Sequence, residues 1–244
     1  MGEVKVKTAI VLAGGAGVRL RPLTNRIPKP MVKVLGKPIL QWVLEWLRSN
    51  GISNFVFGVA YHKESVINYF KDGSQFGANI KYSVHSVSGE TGEGFRLAVN
   101  RHIKDELFVA VNGDELTNFN LRKMIAYHVA HEPVATIAVT HPESPFGVVS
   151  LDKEGRVLSF EEKPRLLSLF VSIGIYLFSK QITKYLPKTG AIERTTFPLL
   201  AKESLLRAFA IDGTWLTVNN MKDLEEAERV LRQKSEEGTW LESS

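Results

Sequence analysis

Residues 8–13, Thr-Ala-Ile-Val-Leu-Ala, form a compact apolar run that stops abruptly at Gly14-Gly15. Such a run predicts a buried strand that opens straight into a tight loop. A strand of this kind needs a layer on each face, and the rest of the chain provides the material by alternation. From Pro38 the apolar Ile39, Val43, Leu44 and Leu47 recur at helical spacing, with Pro near the first turn and Asn50-Gly51 at the stop. Residues 55–60 read as a strand, 64–70 as a helix, and 79–84 as a strand announced by the turn Asp72-Gly73-Ser74. Residues 107–111 read as a third buried strand, followed at once by the polar Asn112-Gly113-Asp114 and then by a helix over 121–131. Residues 134–140 are again strand-like, and 147–151 with 156–160 flank Asp152-Lys153-Glu154-Gly155 as a hairpin, which predicts a mixed sheet. A strand over 171–178, a helix over 195–203, a strand over 205–211 and a charged helix over 224–234 complete a doubly wound α/β pattern.

With 244 residues, 44% hydrophobic and 23% charged, the chain can bury a sizeable core. We expect one domain over 1–234 and a polar tail over 235–244, in which Trp240 and Leu241 are available to dock on the body or on another subunit. The absence of cysteine excludes disulfides, thiolate metal sites and a cysteine nucleophile, so any metal is held by oxygen or histidine. Oxygen donors suit magnesium. The six histidines show no metal-ligand spacing. The net charge of +5 is spread among interleaved acids, with no basic stripe of the kind nucleic acid requires. No apolar run approaches the roughly 18 to 20 residues of a membrane span, and the N-terminal segment lacks a signal-peptide core. The expectation is a cytoplasmic protein with small phosphorylated ligands and neither nucleic acid nor membrane as partner.

The strongest chemical signal is the segment Leu12-Ala13-Gly14-Gly15-Ala16-Gly17-Val18-Arg19-Leu20-Arg21-Pro22-Leu23-Thr24. Glycines after a strand let backbone N–H groups approach phosphate oxygens. This is not a Walker loop, because no Lys-Ser or Lys-Thr follows, and not a dinucleotide fingerprint, because Leu20 stands at the third glycine's place. The continuation is Pro28-Lys29-Pro30-Met31, then Val34, then Gly36-Lys37-Pro38. Together these segments resemble the sugar-1-phosphate nucleotidylyltransferase family, and later segments agree in order: Asn112-Gly113-Asp114, Glu162-Lys163-Pro164, Gly174-Ile175-Tyr176, Glu193 to Pro198 and Trp215.

The resemblance implies a single Rossmann-like doubly wound domain with a mixed, mainly parallel central sheet. It also implies a reaction in which a sugar 1-phosphate attacks the α-phosphorus of a nucleoside triphosphate and releases pyrophosphate. Arg19 and Lys29 are the expected phosphate-neutralising cations and Asp114 the expected magnesium ligand. Leu12, Ala13, Gly14, Gly15, Gly17, Thr91 and Gly92 are the expected nucleotide contacts; Glu162, Lys163, Gly174 and Glu193 are expected on the sugar phosphate. Residues 90–94 are expected to form a turn at the nucleotide, and Glu115 to point away from the metal. Dimers are common in the family, so the resemblance allows a homodimer.

Two positions depart from the family pattern. Thr217 stands where a second metal-binding aspartate is usual, leaving Asn219 or Asn220 as replacement donors, and Glu93 stands where glycine is usual in the turn beside the nucleotide. A neutral hydroxyl is a poorer partner for a hard divalent cation. These departures leave a second expectation, a catalytically weak homologue that binds nucleotide sugars as a regulatory subunit.

Overall fold

The structure is a computed structural model and describes residues 4–240. Along the chain lie β1 (Thr8–Leu12), β2 (Lys33–Val34), β3 (Lys37–Pro38), α1 (Ile39–Ser49), β4 (Asn54–Val59), α2 (Lys63–Phe70), β5 (Asn79–Val84) and α3 (Glu90–His102). They are followed by β6 (Leu107–Asn112), β7 (Glu115–Thr117), α4 (Leu121–His131), β8 (Ala135–Thr140), β9 (Val148–Leu151) and β10 (Val157–Glu161). The last elements are β11 (Val171–Ser179), α5 (Thr196–Lys202), β12 (Leu206–Ala210), β13 (Trp215–Thr217) and α6 (Met221–Glu236). Seven strands form one sheet in the order β12-β8-β11-β6-β1-β4-β5.

Neighbouring strands are parallel except that β11 runs antiparallel to both β6 and β8. The sheet is mixed and mainly parallel as expected, but not because of the hairpin. Strands β9 and β10 pair only with each other, as a separate two-stranded arm, and β11 is the reversed strand. Chain order changes direction at β1, with β4 on one side and β6 on the other. In open α/β sheets that switch point leaves a crevice at the carboxyl ends of the strands, here beyond Leu12 and Asn112.

Period-two alternation divides the buried strand residues between two cores. Ala9, Val11, Val109 and Val111 join the α1 residues Val43 and Leu47 on one face. Ile10, Phe108 and Ala110 join Phe95 and Ala98 of α3 and Leu200 of α5 on the other. Each of the Val, Leu, Ile and Phe side chains among them, removed wholly from water, contributes about 1.5–3 kcal/mol. Helix α1 stops at Asn50, whose side-chain amide donates to the Trp46 carbonyl at 2.9 Å, and Gly51 turns the chain away at φ 92°.

Helix α3 was not legible in the sequence, because Gly92 and Gly94 look like turn residues. They are glycine for contact. A Cβ on Gly92 would lie 2.3 Å from the Gly190 carbonyl oxygen, and one on Gly94 would lie 3.0 Å from Leu12. The expected turn at 90–94 is thus the first turn of a 13-residue helix.

Helix α6 runs past residue 234 to Glu236. Trp240 is 3% exposed and meets Trp42 edge to face, 6.4 Å between ring centroids, so this tail residue packs on the body. Leu241, the other expected docking residue, lies outside the described residues. Among the described residues no helix is long and apolar enough to cross a membrane.

Candidate active site

At the carboxyl end of β1 the chain is held to both neighbouring strands. Ala13 N donates to the Gly58 carbonyl at 2.7 Å, and Gly113 N donates to the Leu12 carbonyl at 2.8 Å. The loop then folds over Lys29, whose backbone N donates to the Gly15 carbonyl at 2.9 Å. Gly17 sits at φ 57°, and a Cβ there would lie 2.7 Å from the Lys29 Cβ. Only glycine tolerates both the left-handed backbone and that approach. Thr24 Oγ1 donates to the Gly17 carbonyl at 2.8 Å and is fully buried, which fastens the far end of the loop.

Lys29 Nζ meets Asp114 Oδ2 at 2.7 Å and donates to Asn219 Oδ1 at 2.9 Å. Arg19 Nη2 donates to the same Asn219 oxygen at 3.2 Å. Arg19, Lys29 and Asp114, chosen from sequence, therefore fall in one cluster, in which Lys29 joins Asp114 to Asn219 and Arg19 shares the Asn219 oxygen.

Strand pairing explains how Asn219 arrives there. Strand β13 runs antiparallel to β7 with Thr217 opposite Glu115, so the chain beyond Thr217 continues toward Asp114. The start of α6 holds it in place: Asn219 N donates to Asp223 Oδ2 at 2.9 Å, and Asp223 N donates to Asn220 Oδ1 at 3.0 Å. Asn220 is thus the helix cap. Of the two asparagines left open in the sequence, Asn219 is the one that faces the cations.

A cavity of about 330 Å³ opens beside this cluster. Its lining joins Leu12, Gly14, Gly15, Thr91 and Asp114, all expected site residues, with Ala16, Pro30, His85, Val87, Glu90, Asn112 and Ala191. Two buried polar atoms on lining residues have no protein partner, Asn112 Oδ1 and His85 Nε2. Unpaired buried polar atoms are uncommon and call for a ligand or water to satisfy them. His85 and Asn112 were not among the chosen residues. The signal for Asn112 was its place in Asn-Gly-Asp; for His85 there was none.

Thr91 and Gly92, in the first turn of α3, are tied to the loop before α5. Thr91 Oγ1 donates to Glu193 Oε2 at 2.9 Å, and Gly92 N donates to the Gly190 carbonyl at 2.9 Å. Tyr176 OH donates to the other Glu193 oxygen at 3.2 Å. Gly174, at φ 72° on β11, lies against Asn112 and Glu115: a Cβ there would be 2.8 Å from Asn112 Nδ2 and 3.0 Å from Glu115. Glu162 and Lys163 are not part of this cluster. They stand at the root of the arm, where Lys163 adopts φ 49° and its ammonium lies 3.8 Å from Glu162.

Glu115, expected to point away from the metal, accepts from Trp215 Nε1 at 2.8 Å. Burial, then the neighbouring Asp114 charge, push its carboxyl up to about 8. Glu93, where the family pattern has glycine, is engaged locally. Its carboxylate accepts from Ser86 N at 2.8 Å and from Ser86 Oγ at 2.5 Å. Those two bonds hold it below the usual carboxylate range and engage it with the 86–88 loop.

Comparison with known proteins accords with this geometry. The family model described as nucleotidyl transferase matches residues 8–234. A UTP–glucose-1-phosphate uridylyltransferase of Synechocystis is 32% identical over 241 residues, covering 91% of this chain and 62% of that protein. A mannose-1-phosphate guanyltransferase of Gibberella zeae is 33% identical over 222 residues, covering 88% and 61%. The bifunctional protein GlmU of Methanocaldococcus jannaschii is 35% identical over 233 residues, covering 93% and 54%. The chain thus spans little more than half to three fifths of these relatives. Among solved structures, HddC from Yersinia pseudotuberculosis superposes with a TM-score of 0.72 at 22% identity, covering 93% of this chain and all of that one. A UDP-glucose pyrophosphorylase complexed with UDP-glucose superposes at 0.71 and 20% identity, covering 94% and 100%. These two likenesses speak for the fold, and the family match spans the sheet, the glycine loop and the residues of the cation cluster. The chain belongs to the nucleotidyl transferase family.

Proposed function

We propose that the chain condenses a nucleoside triphosphate with a sugar 1-phosphate, giving a nucleoside diphosphate sugar and pyrophosphate. The observation that carries this reading is the cluster at the switch point of the sheet in which Lys29 meets Asp114 and, with Arg19, donates to Asn219, beside a cavity lined by the glycine loop. A phosphate oxygen of the sugar 1-phosphate attacks the α-phosphorus; the bond from that phosphorus to the bridging oxygen breaks, and pyrophosphate leaves with its electron pair. No covalent enzyme intermediate is needed, so the protein's task is to position two anions and offset their repulsion.

The loop residues Leu12, Ala13, Gly14, Gly15 and Gly17 cradle the triphosphate, and Thr91 and Gly92 face the nucleoside from α3. Lys29, stiffened by flanking prolines and half-buried, supplies a point charge at the α-phosphate; Arg19 forks onto the outer phosphates. Glu193, Glu162, Lys163 and Gly174 attend the sugar phosphate.

The donors present fit magnesium. A carboxylate oxygen of Asp114 and an amide oxygen of Asn219 already meet one cation, the Lys29 ammonium, and both are hard donors. Among the described residues no three His, Cys, Asp or Glu side chains gather as a metal cage, which suits an ion that keeps its remaining positions for phosphates and water. When bound, magnesium draws charge from the α-phosphate and the leaving pyrophosphate. The regulatory-subunit reading leaned on Thr217 replacing a carboxylate, and the Asn219 oxygen removes much of that support.

The test is turnover: purified chain with magnesium, each nucleoside triphosphate in turn and a panel of sugar 1-phosphates, read by pyrophosphate release. Release with at least one pair is expected; silence with every pair refutes the reading.

A further inference from the structure

The cavity beside the cation cluster has two ends. Pro30 and Asp114 belong to the cluster, whereas Val87, Glu90, Thr91 and Ala191 come from the start of α3 and the loop before α5. A triphosphate held at the cluster carries its base at the opposite extreme of the molecule, so the second end receives the base. Val87, 58% exposed, offers a flat ring an apolar surface there.

The polar side chains at that end are limited in what they can offer. The Thr91 hydroxyl is spent, since it donates to Glu193 Oε2 at 2.9 Å and accepts from Ile192 N at 3.0 Å. His85 Nδ1 lies 3.0 Å from the Ser86 carbonyl, which can only accept, so in the neutral ring Nδ1 carries the proton and Nε2 is an acceptor. Glu90 accepts through both carboxylate oxygens. These lining side chains therefore present acceptors and no free donor. Glu90 also breaks a backbone rule. It sits at φ 53° and ψ −159°, close to the region that glycine alone occupies without strain. Its compensation within the fold is an ion pair with Arg194, and with the two side chains 43% and 72% exposed such a pair contributes little. Strain that the fold does not repay points to a role toward a ligand.

We infer that Glu90 reads the base and that the base it selects is guanine, an inference that rests on the proposed reaction for the placement of the triphosphate. Guanine presents N1–H and its 2-amino group side by side, two donors that match the two oxygens of a carboxylate. Uracil and thymine present a single N3–H between two carbonyl oxygens, which a carboxylate repels. Adenine and cytosine present one amino group beside an acceptor nitrogen. Arg194 engages Glu90 Oε2, and each carboxylate oxygen has two lone pairs, so the ion pair steadies the carboxylate and leaves it able to accept from the base.

The test is calorimetric titration of the full chain with magnesium and each triphosphate alone, without sugar 1-phosphate, so that selectivity is read apart from turnover. GTP is expected to bind at least about tenfold more tightly than UTP, ATP or CTP. Inosine triphosphate, which lacks the 2-amino group, is expected to bind about tenfold more weakly than GTP. Glu90→Gln is expected to remove both preferences and leave the affinity for UTP unchanged. Glu90→Gly, whose backbone adopts the conformation without strain, is expected to do the same, so the loss is not a folding defect. Equal binding of GTP and UTP, inosine triphosphate bound as tightly as GTP, or a preference that survives in both variants overturns the inference and leaves the proposed reaction standing. A chain that binds no triphosphate overturns both.

Discussion

The central sheet and the arm are made of similar residues and have opposite fates. In β1 and β6, Ala9, Ile10, Val11, Val109, Ala110 and Val111 are fully buried between two helical layers. In the arm, Val149, Leu151, Val157 and Phe160 stand at least 45% exposed. Covering on both faces gives the sheet the rigidity to hold Leu12, Asn112 and Asp114 in fixed positions at its carboxyl edge. The arm, left uncovered among the described residues, offers a surface. The lesson is that the cation cluster is positioned by the sheet, whereas Lys163 stands outside it, at the root of the arm.

Breaking the comparison at its most sensitive point means removing a cluster residue. Asp114→Ala and Lys29→Ala are each expected to lower pyrophosphate release about a thousandfold with an unchanged melting profile, because the cluster acts on charge developing in the transition state. Near-wild-type rates would remove those residues from the mechanism.

The next largest effect probes the covering of the sheet. His128 of α4 is 4% exposed and lies 2.8 Å from Thr136 Oγ1 of β8; burial lowers its pKa from 6.5 to about 4. The native state resists a proton that the unfolded chain accepts. The stabilisation is complete above 6.5 and is lost as pH falls through about 4, a loss of about 3 kcal/mol. Urea unfolding of wild type and His128→Gln between neutral pH and pH 4 is expected to show a shallower acid loss in the variant. Parallel curves would mean that His128 is not held neutral.

The contact between α3 and the α5 loop comes third. Gly92→Ala forces a methyl to 2.3 Å from the Gly190 oxygen and is expected to cost about 1–3 kcal/mol by denaturant titration. The arm gives the smallest effect: Leu158→Thr, at a position 67% exposed, is expected to change monomer stability by less than about 0.5 kcal/mol. A larger loss would show that the arm is already covered from within the chain.

Contiguous signals were legible in the sequence. The glycine loop and Lys29 lie within one short stretch, and the buried strands announce themselves by unbroken apolar runs. What escaped reading depends on contacts between distant segments. Helix α3 was hidden because Gly92 and Gly94 are demanded by Gly190 and Leu12, partners that no local pattern reveals. The pairing of β7 with β13 joins two three-residue segments about a hundred positions apart, too short to show a period. Asn219 and Asn220 are chemically identical neighbours, and only the start of α6 assigns one to capping and the other to the cations. The bond from Ser86 to Glu93 is likewise announced by no local pattern.

The amide-to-carbonyl bond between Gly92 and Gly190 has a consequence for the reaction as a whole. It joins the helix end assigned to the nucleoside to the loop carrying Glu193, assigned to the sugar, through main chain alone, with no side-chain torsion to absorb error. In the proposed reaction the two substrates lie on either side of this partition, so its position works as a spacer that sets how far apart they rest. A ligand that displaces the partition from one side alters the room on the other. Reciprocity of binding free energies then requires each substrate to tune the affinity of its co-substrate by an equal factor.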